Sequence, residues 1–380
     1  TTRLYIDQTG DTEILNRQAA YFKDSQCMRG TAADTLWEPE QGSLQRTEQN
    51  EVYTGSILEH LLIQQLTSFY EVGDHNICRL RGADWNDALD MAEEHGESVA
   101  FTCAYAGNLR ELAEMIRLLE SRSRDHETEV MEELGILLND DPEVYGNIQA
   151  KQEILDRYVR SCRRYVSGRR IRVRLSDLAR NLECKADWLT GCLKEQEWIS
   201  GENGEGWFNS YYDDHGHAVE GFFPDGVRMM LTGQVFAIMG NVATASQISS
   251  IVRSADHYLY RKEIGGYRLN TDFHELKFDM GRMFGFAYGE KENGAVFSHM
   301  TVMFANALYR RGFAREGWKA LKTLAETALD FDTSRIYPGI PEYFRADGRG
   351  MYHYLTGAAS WYMLTMVTQV FGVRGEGGDL

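Results

Sequence analysis

Apolar residues recur at helical spacing through most of the chain, separated by long polar stretches. Ile57, Leu58, Leu61, Leu62 and Leu66 predict a helix within 51–70. Leu109, Leu112, Met115, Ile116 and Leu119 form one stripe over 98–120, with Arg110, Glu111, Glu114 and Arg117 elsewhere on that surface. Gly10-Asp11-Thr12 is a start signal for a helix over 13–22. Later apolar runs predict helices over 232–239, 243–254, 299–310, 314–329 and 352–371. Strand signals are sparse: aromatics and glycines over 206–215 read as a short hairpin with 219–223 as its partner. Segment 121–198 is more charged and reads as an elaboration, with a helix-turn-helix outline over 175–198. Long helices joined by glycine-rich loops suggest a mainly α toroid or bundle.

At 380 residues the chain can bury a large core. A formal charge of −17 argues against general binding to a nucleic-acid backbone, which needs a basic face. The one basic run (Arg157, Arg160, Arg163, Arg164, Arg169, Arg170, Arg172, Arg174) reads as a solvated helical face balancing acidic neighbours. An anionic small substrate stays compatible, because a few local arginines outweigh the global field. The cysteines, Cys27, Cys78, Cys103, Cys162, Cys184 and Cys192, contain no C-x-x-C pair. They read as reduced residues of a cytoplasmic protein, and no His or Cys pair has metal-ligand spacing. No secretory signal is visible, and the chain starts at Thr1 rather than Met. The uncharged stretch 356–373 carries Thr356, Ser360, Thr365, Thr368 and Gln369, so a buried helix is expected there rather than a membrane span.

Four loops carry candidate chemistry. Asp84-Trp85-Asn86-Asp87 sets two carboxylates around an indole and an amide. An indole offers a flat face to a pyranose, carboxylates and amides hold hydroxyls, and one acid can protonate a leaving oxygen. A surface turn with Asp84 capping a short helix near Trp85 accounts for the same residues. In Lys291-Glu292-Asn293-Gly294, followed by Ser298-His299, Glu292 and His299 stand seven residues apart. His299 at a helix start could face an anion, or Ser298 could simply cap that helix. Tyr337-Pro338-Gly339-Ile340-Pro341-Glu342-Tyr343 holds two of the five prolines, which stiffen the backbone around Glu342 and Tyr343. A structural turn has the same composition. Thr356-Gly357, opening an apolar helix, could cradle phosphate or merely begin the helix.

In this order, Asp-Trp-Asn-Asp, Lys-Glu-Asn-Gly…Ser-His, Pro-Gly-Ile-Pro-Glu-Tyr and Tyr-Leu-Thr-Gly-Ala-Ala-Ser-Trp resemble glycoside hydrolase family ninety-four. Its members include the cellobiose, chitobiose and β-1,2-oligoglucan phosphorylases. The resemblance runs from about Tyr5 to Glu376. Residues 266–273, 281–289 and the 170–198 elaboration look most like the β-1,2-oligoglucan (sophorose-series) branch. The resemblance implies an (α/α)6 toroid filling 1–380, incomplete on its N-terminal side, with 121–225 as a helical and β-hairpin elaboration within it. It implies an upstream β-sandwich with further toroid helices and arginines, a C-terminal β domain in a longer parent chain, and a homodimer.

Residue by residue, it implies Asp87 as general acid and Trp85 as the indole lining the sugar site. It implies Glu292 as a sugar ligand, with His299, Thr356 and Gly357 holding inorganic phosphate. Asp84, Asn293, Glu342 and Tyr343 match sugar-binding motifs. Phosphate is then a co-substrate, with no cofactor and no metal. The partners are a β-glucan oligosaccharide and phosphate or α-glucose 1-phosphate. A phosphorolytic site needs one acid, because phosphate arrives already charged, whereas an inverting hydrolase needs a second carboxylate to activate water. Alternatives are a cellobiose-type phosphorylase, a toroidal inverting hydrolase using Glu292 as base, and an inactive carbohydrate-binding fragment.

Overall fold

The computed structural model describes residues 1–23, 26–28, 32–33, 35, 38, 40, 42–337, 339–353 and 357–379. Helices dominate these residues, and the strands are two to five residues long. The chain divides into two compact units.

The first unit comprises Thr1–Cys78, Asn108–Trp188 and Gly375–Leu380. Its helix Ile57–Tyr70 begins with the first residue of the apolar stripe, six residues inside the span 51–70, with Ser56 accepting the Glu59 N–H as cap. The residues before it, Thr54–Ser56, instead pair with Gln18–Ala20 as a short antiparallel ladder. That pairing also replaces the helix expected over 13–22. Asp11 does act as a cap, but for a single 3-10 turn, Thr12–Asn16. The stripe from Leu109 to Leu119 is buried throughout, as its spacing required.

Much of the basic run is strand rather than helical face. Arg170–Arg174 pairs with Glu127–Met131, setting Arg172 opposite Glu129 and Arg174 opposite Glu127, so opposite charges support the ladder. Residues 175–196 form one unbroken helix, Leu175–Gln196, not a helix-turn-helix. Leu175, Leu178, Leu182, Ala186, Leu189 and Leu193 keep one buried stripe along its whole length.

Two lysines are fully buried in this unit. The Lys151 ammonium lies 4.1 Å from the centre of the Phe69 ring and 4.5 Å from that of Trp188, and donates to Asn76 Oδ1. Lys185 donates to Asn139 O at 2.6 Å and Asn181 Oδ1 at 2.7 Å. Burial pushes the Lys185 ammonium down to about 7. Between pH 7 and 10.5 the unfolded chain therefore holds a proton that the folded chain does not, and stability rises with pH across that window. Lys185→Met removes this dependence. In urea unfolding the variant should be more stable than the parent by roughly 2–4 kcal/mol at pH 6.5 and lose that lead by pH 10. Equal stability at pH 6.5 contradicts this reading.

The second unit comprises Arg79–Gly107 and Leu189–Arg374. Its centre is helix Ser298–Arg310, buried at almost every position from Ser298 to Leu308. Helices Leu231–Met239, Ala314–Leu329 and Gly357–Thr365 pack around it. Helix Ala245–Tyr258 starts from a reciprocal cap between Thr244 and Gln247. The hairpin expected over 206–223 forms in its middle, where Tyr212 stands opposite Ala218, Val219 N–H donates to Tyr211 O and Asp213 N–H donates to His217 O, while its flanks pair elsewhere. Gly206–Phe208 pairs with Trp198–Ser200, Tyr211–Tyr212 with Glu97–Ser98, and Gly221–Phe223 with Gly226–Arg228. Buried Glu220 holds this crossing together by accepting the Ser210 and Met230 N–H groups.

The last predicted helix begins at Gly357 and ends in a π turn, Met366–Val370. It is not a buried helix: Ala358 and Thr365 face the core, whereas Met363, Val367 and Phe371 are exposed. No helix among the described residues is long and apolar enough to cross a membrane.

Candidate active site

The Asp84–Asp87 stretch is a loop whose residues alternate between anchoring and display. Ala88 and Leu89 are fully buried and hold its far end. Asn86 is buried, accepts the Ala88 N–H on its side chain and donates to the Met283 sulfur. Asp84 caps no helix. Its Oδ1 accepts the Asn86 N–H at 2.9 Å and the Tyr211 hydroxyl at 3.2 Å, while Oδ2 accepts the Ser98 hydroxyl at 2.7 Å. Burial raises its carboxyl to about 6, against the opposing effect of these hydrogen bonds. Between these inward residues, Asp87 projects outward with 77% of its side chain exposed. Tyr211→Phe should cost about 1–2 kcal/mol in thermal unfolding, because a buried carboxylate loses a donor. An unchanged melting temperature contradicts the anchoring role of Tyr211.

Trp85 carries the loop to the second motif. Its ring meets Phe297 edge-on at 5.4 Å and lies 5.7 Å from the His299 ring. The His299 ring also lies 5.9 Å from that of Trp361. The Gly357 Cα faces the same imidazole so closely that a Cβ there would stand 3.1–3.3 Å from three ring atoms. His299 Nε2 is buried without a hydrogen-bond partner among the described residues. Burial lowers the His299 pKa and so favours the neutral ring. Ser298 is not the cap of its helix: it is the first helical residue, and its N–H donates to Glu342 O at 2.9 Å.

A three-stranded antiparallel sheet joins the remaining motifs. Val296–Phe297 pairs with Tyr343–Phe344, which pairs with Gly350–Met351. Tyr343 is buried, with its ring stacked on Phe297 and near that of Tyr352. Glu342 is tied into the same region through its backbone, donating to Tyr352 O. Asn293 is occupied within its loop, donating to Phe286 O and accepting from Asn270. Burial raises the Glu292 carboxyl, and the negative charge of Asp87 adds to the effect, so these two carboxylates share one electrostatic neighbourhood. Lys291 rests over the Phe286 and Tyr352 rings. Thr356 lies outside the described residues.

Asp87, Trp85, Glu292, His299, Tyr343 and Gly357 thus belong to one contiguous region of the second unit. Sequence reasoning missed Arg282, which bonds Asp87 at 3.0 Å and also Asp90. It also missed the roles of Phe297, Trp361, Tyr211 and Ser98. Trp361 closes one recognised motif and Phe297 adjoins another, but no local pattern marks Ser98, Arg282 or Tyr211 as neighbours of the Asp84–Asp87 loop.

A model of the glycosyl hydrolase 94 superfamily catalytic domain matches residues 38–162 and 154–372. The chain belongs to this family. It is 23% identical over 380 residues to solabiose phosphorylase of Paenibacillus borealis, covering 97% of the chain and 38% of that relative. It is 26% identical over 220 residues to cellobionic acid phosphorylase of Neurospora crassa, covering 54% of the chain and 27% of the relative. A 3-O-β-D-glucopyranosyl-β-D-glucuronide phosphorylase of P. borealis is 21% identical over 386 residues, covering 99% of the chain and 39% of the relative. The chain therefore spans less than two-fifths of the length of these family-94 relatives. Their names agree on phosphorolysis and differ in the sugar.

Proposed function

We propose that this chain carries the catalytic site of an inverting glycoside phosphorylase within an (α/α)6 toroid. It would convert a β-glucoside and phosphate into α-glucose 1-phosphate and a shortened sugar. The observation that carries the reading is the His299 cage: a buried imidazole nitrogen without a partner among the described residues, bordered by Gly357 and Trp361 and joined by Trp85 to the loop bearing Asp87. A site with one exposed acid and a separate anion acceptor suits a charged nucleophile.

In this mechanism Trp85 and Tyr343 border the glucosyl ring, and Glu292, Asn293, Glu342 and Asp84 hold its hydroxyls directly or by shaping their loops. Phosphate sits against His299 and Gly357, with Thr356 as the third ligand that the family resemblance implies, and attacks the anomeric carbon from the face opposite the leaving sugar. The carbon–oxygen bond to the leaving sugar breaks as the bond to phosphate forms. Asp87 gives its proton to the departing oxygen and becomes a carboxylate, and the anomeric centre inverts from β to α.

The substrate we favour is a β-1,2-linked gluco-oligosaccharide, on the resemblance of residues 266–273 and 281–289 to that branch. The test is incubation with α-glucose 1-phosphate and a panel of glucose and gluco-oligosaccharide acceptors, following phosphate release. Release with sophorose-series acceptors is expected. Release only with cellobionic or glucuronic acceptors would overturn the branch, and no release with any acceptor would overturn the phosphorylase reading.

A further inference from the structure

Segment 280–283 grips the acid loop along its length. Met91 N–H donates to Met280 O at 3.2 Å, and Met283 N–H donates to Ala88 O at 3.0 Å. Gly281 sits so close that a Cβ would lie 2.2 Å from Ala88 O and 2.6 Å from Asp90 N. Between these contacts, Arg282 makes a two-ended connection. Its backbone N–H donates to Asp90 Oδ1 at 3.1 Å, and its Nη1 donates to Asp90 Oδ2. Its Nη2 donates to Asp87 Oδ2 at 3.0 Å. Burial acts to raise the Asp90 carboxyl, but the Arg282 hydrogen bonds and charge outweigh it and hold the carboxyl below its ordinary range.

We infer that Arg282 is a positioning residue for the acid: anchored on Asp90, its guanidinium fixes the rotation of the Asp87 carboxyl and divides its charge between the two aspartates. The inference rests on Asp87 being the proton donor. A guanidinium only donates hydrogen bonds, so the Asp87 oxygen it holds, Oδ2, must act as an acceptor. The proton of the acid form is therefore confined to Oδ1, the oxygen left to face a leaving group. When Oδ1 gives up that proton, the carboxylate that remains is already paired, which favours the transfer. Asp90 tempers this help, because it competes for the same positive charge.

Removing the guanidinium takes a cation and a donor from Asp87 and frees its carboxyl to rotate, so proton transfer should slow. Removing the Asp90 charge leaves the guanidinium on Asp87, so the pairing that favours transfer is kept. Asp90→Asn keeps the Oδ1 that accepts the Arg282 N–H, so the backbone contact survives.

The experiment measures phosphorolysis by the parent, Arg282→Gln, Arg282→Lys and Asp90→Asn with leaving groups of high and low basicity. For Arg282→Gln, kcat should fall about tenfold with a smaller change in the KM for phosphate, and Arg282→Lys should restore part of it. The loss in Arg282→Gln should be larger for the leaving group of higher basicity, and Asp90→Asn, which leaves the guanidinium on Asp87, should lose less than Arg282→Gln. A parent-like kcat in Arg282→Gln, or an equal loss for both leaving groups, overturns the inference. Full phosphorolysis by Asp87→Asn would instead overturn the assignment of the acid, whatever the Arg282 variants do.

Discussion

Asp87→Asn is expected to lower phosphorolysis by about 10²–10⁴-fold, the span that a positioned general acid contributes. The amide keeps the size of the side chain and can still accept from Arg282 on its oxygen, but it has no proton to deliver. Stability should move by no more than about 0.5 kcal/mol, because 77% of the side chain is exposed and its one ion pair lies at the surface. The measurement is kcat with a good and a poor leaving group, together with the melting temperature. The loss should be larger for the leaving group of higher basicity, which depends most on protonation. Parent-like turnover by the folded variant would remove Asp87 from this role.

His299→Ala carries the second large effect. The buried Nε2 has no partner among the described residues, and an anion supplies one. A hydrogen bond to a charged group contributes about 1.5–3 kcal/mol, so the phosphate KM should rise roughly 10–100-fold. kcat at saturating phosphate should change much less. The pH dependence has a defined sign. Burial holds the His299 pKa below 6.5, whereas a bound dianion favours the imidazolium. Anion affinity should therefore increase as pH falls toward that range. Sulfate, whose charge does not change there, should inhibit more strongly at pH 6 than at pH 8 against the parent, and equally at both against His299→Ala. A parent-like phosphate KM in the variant would take His299 out of the anion site.

Much of the fold was legible because burial and spacing coincide. The Leu109–Leu119 stripe and the helices at Ser298–Arg310 and Ala314–Leu329 are segments whose apolar residues repeat with the helical period and pack accordingly. The failures share a physical cause, namely pairing with distant partners. Gln18–Ala20 reads as helix locally, yet Thr54–Ser56 supplies its hydrogen bonds as a strand. Tyr211–Tyr212 does meet Ala218–Val219 locally, yet its other edge pairs with Glu97–Ser98 more than a hundred residues earlier.

The site divides in the same way. Trp85, Asp87 and His299 stand in short, unusual motifs, and their residue types alone suggest sugar and anion chemistry. Arg282 and Tyr211 carry no such mark. Each reaches the Asp84–Asp87 loop only after the chain has folded back on itself. The sequence also places Asp84 and Asp87 side by side as equivalent carboxylates. Folding separates them, giving Asp84 three hydrogen-bond donors and leaving Asp87 outward.

The most direct test follows the fate of a β-1,2-gluco-oligosaccharide with inorganic phosphate present and absent. With phosphate, the sugar released should appear as α-glucose 1-phosphate in amounts set by the phosphate concentration, and without phosphate nothing should be cleaved. Free glucose formed at the same rate in both conditions would show that water, not phosphate, is the nucleophile, and the single-acid site would then be wrong.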